Sequence, residues 1–310
     1  MQPLVSICIP TYNRAECLEK TIESIICQPE FISGEVEIVV SDNASEDSTA
    51  EICGKYKEFS NFYYHRNHEN VRDKNFPIVL SKAHGKLRKL NNDTFVLDKG
   101  SLGKLCYIAK RYDNTRPFIL LRNEKNKSKE LDFHDFVLEV GYWITWIAGF
   151  TIWDNECNKI EIDTDGCELL LWQVRKAYEL ASKKNATVVY YDLLGTSITP
   201  PKKNISYGLY KIFYCNYMAL LKPYYDEGKL TSQNMDYLEK ELLFKFFLDW
   251  TIRYELNNTD MQYSKEEDLK AAVWKQYDHK PYWKEFVVLY KRKKIKEKIK
   301  VFIKRILRKV

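Results

Sequence analysis

Four short polar clusters carry the residue types that could do chemistry. Pro10-Thr11-Tyr12-Asn13-Arg14 follows an apolar run directly. A threonine hydroxyl and backbone N–H groups at a strand-to-helix turn suit a base edge or a phosphate, and a guanidinium reaches phosphate oxygens as a fork donor. Ser41-Asp42-Asn43-Ala44-Ser45 follows a second apolar run. Asp42 can accept from a ring N–H or a hydroxyl, while the same Asp42-Asn43 pair also reads as a plain Asx turn. His65-Arg66-Asn67 leads through Glu69-Asn70 to Asn75, and Asn91-Asn92-Asp93-Thr94 forms a turn with one carboxylate.

Further along, residues 142–150 are densely aromatic. They read either as a platform for sugar rings, with Thr145 as a polar contact, or as a buried strand. His134 beside Asp135 reads as a ligand pair or as a satisfied core histidine. Asp163 and Asp165 precede Gly166 and a helical pattern over 166–182, the place of helix-capping carboxylates.

These clusters need elements to position them. Residues 4–9 and 36–40 are short β-branched apolar runs, which predict buried parallel strands, and 62–65 predicts a third strand. Residues 15–27, 47–59 and 76–83 have helical spacing. Strand and helix alternating three times predicts a doubly wound sheet with right-handed crossovers. Ligands of such sheets bind beyond the carboxyl ends of the strands, where three of the polar clusters would lie. Residues 118–121 and 187–191 predict further strands. Residues 205–256 are helical in pattern, and 199–203 is the best candidate for a domain edge.

The run VSICIP into TYNR resembles the opening of family-2 glycosyltransferases of the GT-A fold. VEIVVSDNASEDST resembles the next block of that family, and the segment from His65 to Asn75 resembles the one after strand three. The resemblance covers about the first hundred residues in order and implies an α/β, GT-A, Rossmann-like doubly wound mixed sheet. It implies a nucleotide-sugar donor site made by Pro10, Thr11, Tyr12, Asn13, Arg14, Asp42, Asn43, Asn70, Asn75 and Asn92. The family's Asp-x-Asp metal motif corresponds to Asn91-Asn92-Asp93. A Mg²⁺ or Mn²⁺ ion would therefore rest on Asp93, helped by the Asn91 amide oxygen and bound weakly without donor. A metal-free turn is the other reading. An inverting transferase also needs a base for the acceptor hydroxyl. The family's acidic pair has no clear match; Asp163 and Asp165 are the candidates, Glu168 a third, and Gln173 a sugar contact. The LNNDT form looks like the abequosyltransferase-type branch, which builds bacterial surface polysaccharides. The implied activity is transfer of a sugar to a lipid-linked or O-antigen- or capsule-type acceptor, with inversion. The rival is an inactive sugar-nucleotide-binding or assembly subunit of the same fold, which Asn91 and Asn92 support. A nucleotidyltransferase ranks behind, because its glycine-rich opening is missing.

Charge is sharply divided along the 310 residues. Residues 291–310 hold eleven Lys/Arg and one acid, Glu297, a net of +10; the other 290 hold 38 basic and 42 acidic groups, a net of −4. The body therefore does not suit nucleic acid, and the tail asks for a local anionic partner. Ile295, Ile299, Phe302, Ile303, Ile306 and Val310 recur on one helical face, which predicts a basic amphipathic helix on an anionic membrane surface. A helix packed on its own domain or on a partner is the alternative. The expected organisation is 1–200 catalytic, 201–290 helical and 291–310 membrane-associating. None of the eight cysteines forms a CxxC pair, which predicts free thiols and argues against a zinc ribbon. No eighteen-residue apolar run and no signal-like opening are present, so the expected location is cytoplasmic, peripheral on the inner face of the cell membrane.

Overall fold

The computed structural model describes residues 2–307 except 123–126, 158, 185–186, 192–193, 200–202, 205–206, 257–260 and 263–267. The chain divides into two compact units, Met1–Pro200 and Pro201–Val310.

In the first unit β1 (Val5–Thr11) is buried along nearly its whole length, as an apolar strand covered on both faces must be. It is followed by α1 (Ala15–Ile26), α2 (Pro29–Ile32), β2 (Val36–Asp42), α3 (Thr49–Gly54), β3 (Phe62–Arg66), α4 (Asn75–Ser81), β4 (Leu87–Leu90) and β5 (Phe95–Leu97). Next come α5 (Ser101–Tyr112), β6 (Phe118–Arg122), β7 (Lys127–Leu131), α6 (Phe133–Val140), β8 (Thr151–Trp153), α7 (Trp172–Lys183), β9 (Thr187–Tyr191) and β10 (Gly195–Ser197). The main sheet has the order β3-β2-β1-β4-β8, with β8 antiparallel and the other four parallel. The chain steps outward from β1 through β2 to β3 and then crosses back to β4 on the other side of β1. The direction of winding therefore reverses between β1 and β4, and the crevice outside their carboxyl ends is where such sheets bind ligands. A second sheet, β6-β9-β7, and the pair β10-β5 complete the unit.

The core lies on both faces of the main sheet. Ile7, Ile9, Ile38 and Val40 pack against Leu18, Ile22 and Ile25 of α1 and Leu102, Leu105 and Ile108 of α5. β4 had no strand-like pattern because Arg88 and Lys89 interrupt it, yet Lys89 is fully buried. Its Nζ donates to Leu90 O at 3.1 Å and Asn91 Oδ1 at 2.8 Å, and it lies 5.6 Å from the Phe95 ring centroid. Burial pushes its pKa down to about 7.

Two expectations differ from the structure in this unit. The aromatic segment does not run as one strand. It forms tight 3-10 turns at Gly141–Thr145 and Ile147–Gly149 before β8 begins. Gly149 is required there, since a Cβ would come 2.5 Å from Leu121 O. The helix expected from residue 166 starts at Trp172, because Gly166 (φ +83°) and Leu170 (φ +55°) adopt left-handed backbone that breaks a helix.

The second unit is helical: α8 (Tyr217–Asp226), α9 (Ser232–Glu241), α10 (Leu248–Glu255), α11 (Leu269–Tyr277) and α12 (Trp283–Leu307). π-helical segments, Lys211–Asn216 and Leu242–Phe247, meet through Phe213 and Phe246, whose ring centroids are 4.7 Å apart. α12 is continuous from Trp283, so the expected boundary at 290/291 falls inside it. Phe286 and Tyr290 of α12 are buried against Trp274, while Ile295 and Ile299 are 60% and 54% exposed. Ile295 is nine residues after Phe286, two and a half turns, and so lies on the opposite side of the helix. No described helix is long and apolar enough to cross a membrane.

Candidate active site

Three strand ends align at the carboxyl edge of the sheet. Thr11 is in register with Asp42, and Asp42 with Arg66. Asp93 lies just past β4, across the reversal point from Thr11. Thr11 Oγ1 donates to Asp93 Oδ2 at 3.0 Å, and Arg14 Nη1 donates to Asp93 Oδ1 at 2.6 Å. Thr21 Oγ1 holds the Asp93 backbone carbonyl at 2.9 Å. Asp93 is 3% exposed. Burial raises its pKa, and Arg14, Thr11 and the Tyr12 N–H oppose that rise without cancelling it. Arg14 Nε and Asn92 Oδ1 are buried with no hydrogen-bond partner among the described residues.

Asp42 is fully buried. Its Oδ1 accepts from Ser45 N at 2.8 Å, closing the Asx-type turn, and its Oδ2 accepts from Tyr64 OH at 2.7 Å and Arg66 Nη1 at 3.0 Å. Burial and then the bond to Asp42 push the Tyr64 hydroxyl up to about 12. Tyr64 and Arg66 were missed as site residues. The signal was present, since alternate residues of a strand share a face and β3 pairs with β2.

The asparagines of the second and third clusters hold one another. Asn43 Nδ2 donates to Asn70 Oδ1 at 2.8 Å, and Asn43 Oδ1 accepts from Val71 N at 2.9 Å. Asn75 Oδ1 accepts from Ser41 Oγ at 2.6 Å and Asn67 Nδ2 at 2.9 Å, and its Nδ2 donates to Ser41 O at 2.9 Å. Asn13 Oδ1 accepts from Glu46 N at 2.7 Å, and Asn13 N donates to Ser45 Oγ at 2.9 Å. Asp47 Oδ2 accepts from Ala15 N at 2.9 Å and so caps α1 from another loop. Burial alone would raise the Asp47 carboxyl, but bonds from Thr49 and Ala15 outweigh it and hold the pKa low. Asn13, Ala44 and Arg72 have φ of +51°, +61° and +52°. Left-handed non-glycine residues are costly, and here all three belong to the loops that frame this edge. Pro10 is half-buried and Tyr12 is 40% exposed beside them.

Asn91 is not placed as expected of an ion ligand. Its Oδ1 is taken by Lys89, and its Nδ2 donates to Asn92 O at 2.9 Å and Phe95 O at 3.0 Å. The buried ammonium needs an acceptor, and Asn91 turns inward to supply it. The oxygen left open beside Asp93 is Asn92 Oδ1. A carboxylate with an orphaned amide oxygen is a donor set that suits a hard divalent ion, so Asp93 and Asn92 fit Mg²⁺ or Mn²⁺ better than Asp93 and Asn91.

Asp163 and Asp165 do not stand at a helix start. Asp163 is ion-paired to Arg175 through Oδ1 and to Lys176 Nζ at 3.1 Å through Oδ2. Both cations are on α7, brought opposite Asp163 by the left-handed breaks at 166 and 170. Asp165 and Glu168 are exposed. The first turn of α7 instead meets the third cluster: Trp172 N donates to Asp73 Oδ2 at 3.3 Å. Gln173 Nε2 donates to Thr145 O at 3.2 Å, while Gln173 Oε1 is buried without a partner among the described residues. Thr145 Oγ1 bonds back to Tyr142 O at 2.8 Å. Tyr142 and Trp143 stack at 5.2 Å, with Trp143 43% exposed. His134 Nδ1 lies 3.0 Å from Asp135 Oδ1 on the surface. With Asp132 they form the only described group of such side chains close enough to share an ion, all three exposed. Asp132 is already the cap of α6.

The sequence profile described as "Glycosyl transferase family 2" matches residues 6–171. The chain belongs to glycosyl transferase family 2. Abequosyltransferase RfbV of Salmonella typhimurium is 37% identical over 131 residues, 41% of this chain and 38% of that protein. The GalNAc(5)-diNAcBac-PP-undecaprenol beta-1,3-glucosyltransferase of Campylobacter jejuni is 30% identical over 132 residues, 41% of this chain and 42% of that protein. The matches thus span about two fifths of these curated relatives. Among solved structures, S. aureus TarS 1–349 in complex with UDP superposes with a TM-score of 0.56 at 17% identity, covering 82% of this chain and 75% of that one. Mannosyltransferase PcManGT of Pyrobaculum calidifontis, in complex with GDP-Man and Mn²⁺, gives 0.51 at 16% identity, covering 90% and 89%. The first unit of this family-2 chain has the GT-A fold, an α/β mixed sheet with the candidate site at its reversal point.

Proposed function

We propose that this chain transfers a sugar from a nucleoside-diphosphate donor to a hydroxyl of a lipid-linked or surface-polysaccharide acceptor, with inversion at the anomeric carbon. The observation that carries the reading is the Thr11–Asp93–Arg14 junction at the β1/β4 reversal, in register with Asp42 and Arg66. Cations and backbone N–H groups at this edge suit a diphosphate, and Asp42 suits a base or ribose donor group. The named relatives support the class: an abequosyltransferase, an undecaprenol-linked glucosyltransferase, and GT-A structures holding UDP or GDP-Man.

Asp93 and Asn92 would hold the divalent ion, which supplies Lewis-acid neutralisation of the donor diphosphate when bound. Arg14 and Arg66 orient the phosphates and the nucleoside, and the loop built by Asn43, Asn70 and Asn75 keeps their spacing. Trp143, 43% exposed, stacks on Tyr142 and its ring centroid lies 5.4 Å from the Arg122 guanidinium carbon, an aromatic surface suited to contact a sugar. The second reading is an inactive binder. It is favoured by one observation: the only carboxylate of the Asn91-Asn92-Asp93 turn is already neutralised by Arg14. Thermal shift with UDP-, GDP-, CDP- and dTDP-sugars plus Mn²⁺, followed by nucleoside-diphosphate release, separates them. Turnover supports the transferase; stabilisation without turnover supports the binder; neither refutes both.

The reading includes a place of work. The exposed Ile295 and Ile299 point away from the packed Phe286–Tyr290 side, in a stretch dense in lysine. This supports docking of 291–310 on an anionic membrane surface at the inner face, where lipid-linked acceptors are reached.

A further inference from the structure

The transfer reading leaves the proton acceptor unassigned, and the structure narrows the choice. The acceptor hydroxyl oxygen must bond to the anomeric carbon while the bond from that carbon to the diphosphate oxygen breaks. The leaving diphosphate keeps that electron pair, and the hydroxyl proton goes to a base. Asp93 is held by Arg14, Asp42 by Arg66, and Asp163 by Arg175 and Lys176. Asp47 is spent on Ala15 and Thr49. Asp73 has no cation within ion-pair distance among the described residues; its Oδ2 accepts from Trp172 N. It follows Arg72, whose left-handed φ of +52° turns the loop, and Arg72 O accepts from Asn43 Nδ2 at 3.4 Å. Asp73 is thus tied on one side to the Asp42–Asn43 cluster. On the other it meets the first turn of α7, where Gln173 contacts the aromatic segment and keeps a buried Oε1 with no partner among the described residues.

Resting on the transfer reading above, we propose that Asp73 is the catalytic base that takes the proton from the acceptor hydroxyl. The charged and titratable groups around it are Arg72 and Lys74 on its own turn and Cys167 and Glu168 from the turn at Cys167–Leu169; Asp163, with Arg175 and Lys176, lies behind them. α4 presents no charged side chain. Burial pushes the Asp73 carboxyl up to about 7, against the pull of the Trp172 N–H. A base with a pKa near the working pH combines availability with driving force.

The test uses the full chain, the nucleotide-sugar panel with Mn²⁺, and nucleoside-diphosphate release with water or an added glycan as acceptor. In wild type kcat should rise with pH through about 7 and then level off, because Asp73 is a base only when ionised. Asp73→Asn should lose at least a hundredfold in kcat and lose that acid limb, with nucleotide affinity unchanged. A second readout needs no turnover. A carboxyl whose folded pKa is raised costs stability once it is forced to ionise, so Asp73→Asn should match wild type in Tm at pH 4 and exceed it at pH 8. Asp73→Asn that keeps kcat and the acid limb overturns the base and leaves the transferase reading standing. Equal Tm at both pH values overturns it as well. A wild-type chain that turns over no donor refutes the transferase reading, and the base with it.

Discussion

Replacing Asp42 by Asn tests the charge logic of the site most directly. The carboxylate is fully buried and accepts three bonds, from Ser45 N, Tyr64 OH and Arg66 Nη1, at 2.8, 2.7 and 3.0 Å. Asparagine keeps one oxygen, enough for Ser45. Its NH₂ then faces the Arg66 guanidinium, donor against donor, and the Tyr64 hydroxyl, which must turn from donating to accepting. A hydrogen bond to a charged group contributes about 1.5–3 kcal/mol, and removing one partner of a buried pair costs more when the other is trapped. Arg66 is not trapped: its side chain is 44% exposed and rehydrates. The expected loss is therefore about 2–3 kcal/mol. With a urea m-value of about 1–3 kcal/mol/M, the midpoint falls by roughly 1–2 M at unchanged m. Tyr64→Phe in a double-mutant cycle should couple to Asp42→Asn by about 1 kcal/mol. Nucleotide affinity, read by calorimetry below the new midpoint, should fall about tenfold. A midpoint shift worth less than about 0.5 kcal/mol, typical of a surface change, would refute the claim that Asp42 anchors β3 to β2.

Three further outcomes follow from the same geometry. Asp163→Asn should keep donor turnover and lower Tm, because it strips a partner from Arg175 and Lys176 rather than a base from the reaction; loss of turnover at an unchanged Tm would restore Asp163 as the base. Asp93→Asn should abolish Mn²⁺-dependent turnover and also destabilise the chain by about 2 kcal/mol, since Arg14 loses its buried partner; full activity, in that variant or in wild type with excess chelator, would remove the metal assignment. Ile295→Asp with Ile299→Asp should halve or more the fraction sedimenting with anionic vesicles at low salt and leave Tm unchanged, as both side chains face solvent; undiminished sedimentation would discard the lipid surface.

The alternation of strands and helices was legible because buried parallel strands are plain apolar runs, and β1, β2 and β3 fall within two residues of the spans read for them. β4 was hidden by Arg88 and Lys89. A buried lysine defeats any pattern based on hydrophobicity, and only the contacts of Lys89 with Asn91 and Phe95 explain it. The helix reading at 166 failed for a local reason. Glu168-Leu169-Leu170-Leu171 has good helical composition, yet Gly166 and Leu170 are left-handed, and that depends on the packing of Gly166 against Arg175. At the site, residue types were readable but allegiances were not. Asn43, Asn70 and Asn75 spend their amides largely on each other and on nearby loop groups, and Asp42 makes the Asx turn and a cross-strand pair at once. Asp73 carried no signal in the sequence, because its partial burial and its lack of a cation are set by contacts with a segment 99 residues away in the chain.

That lack has a reason in the charge balance of the edge. A diphosphate donor brings negative charge to a place that already holds Asp42 and Asp93. Each of these is matched by its own arginine, Arg66 and Arg14, and both arginines keep part of their surface open, at 44% and 22%. The donor therefore meets guanidinium groups rather than bare carboxylates, and neither arginine need leave its acid, since a guanidinium has five donors. A third ionised carboxylate beside them would repel the diphosphate unless it were neutral as the donor arrives. Half-burial of Asp73 without a cation provides that condition near neutral pH. Once ionised, the same group takes the hydroxyl proton and becomes neutral again, as the leaving diphosphate draws negative charge away from the anomeric centre. An added cation at this spot, as in Gln173→Lys, should strengthen donor binding and weaken turnover together, because it would hold Asp73 ionised and paired throughout. A rise in both affinity and kcat in that variant would contradict the account.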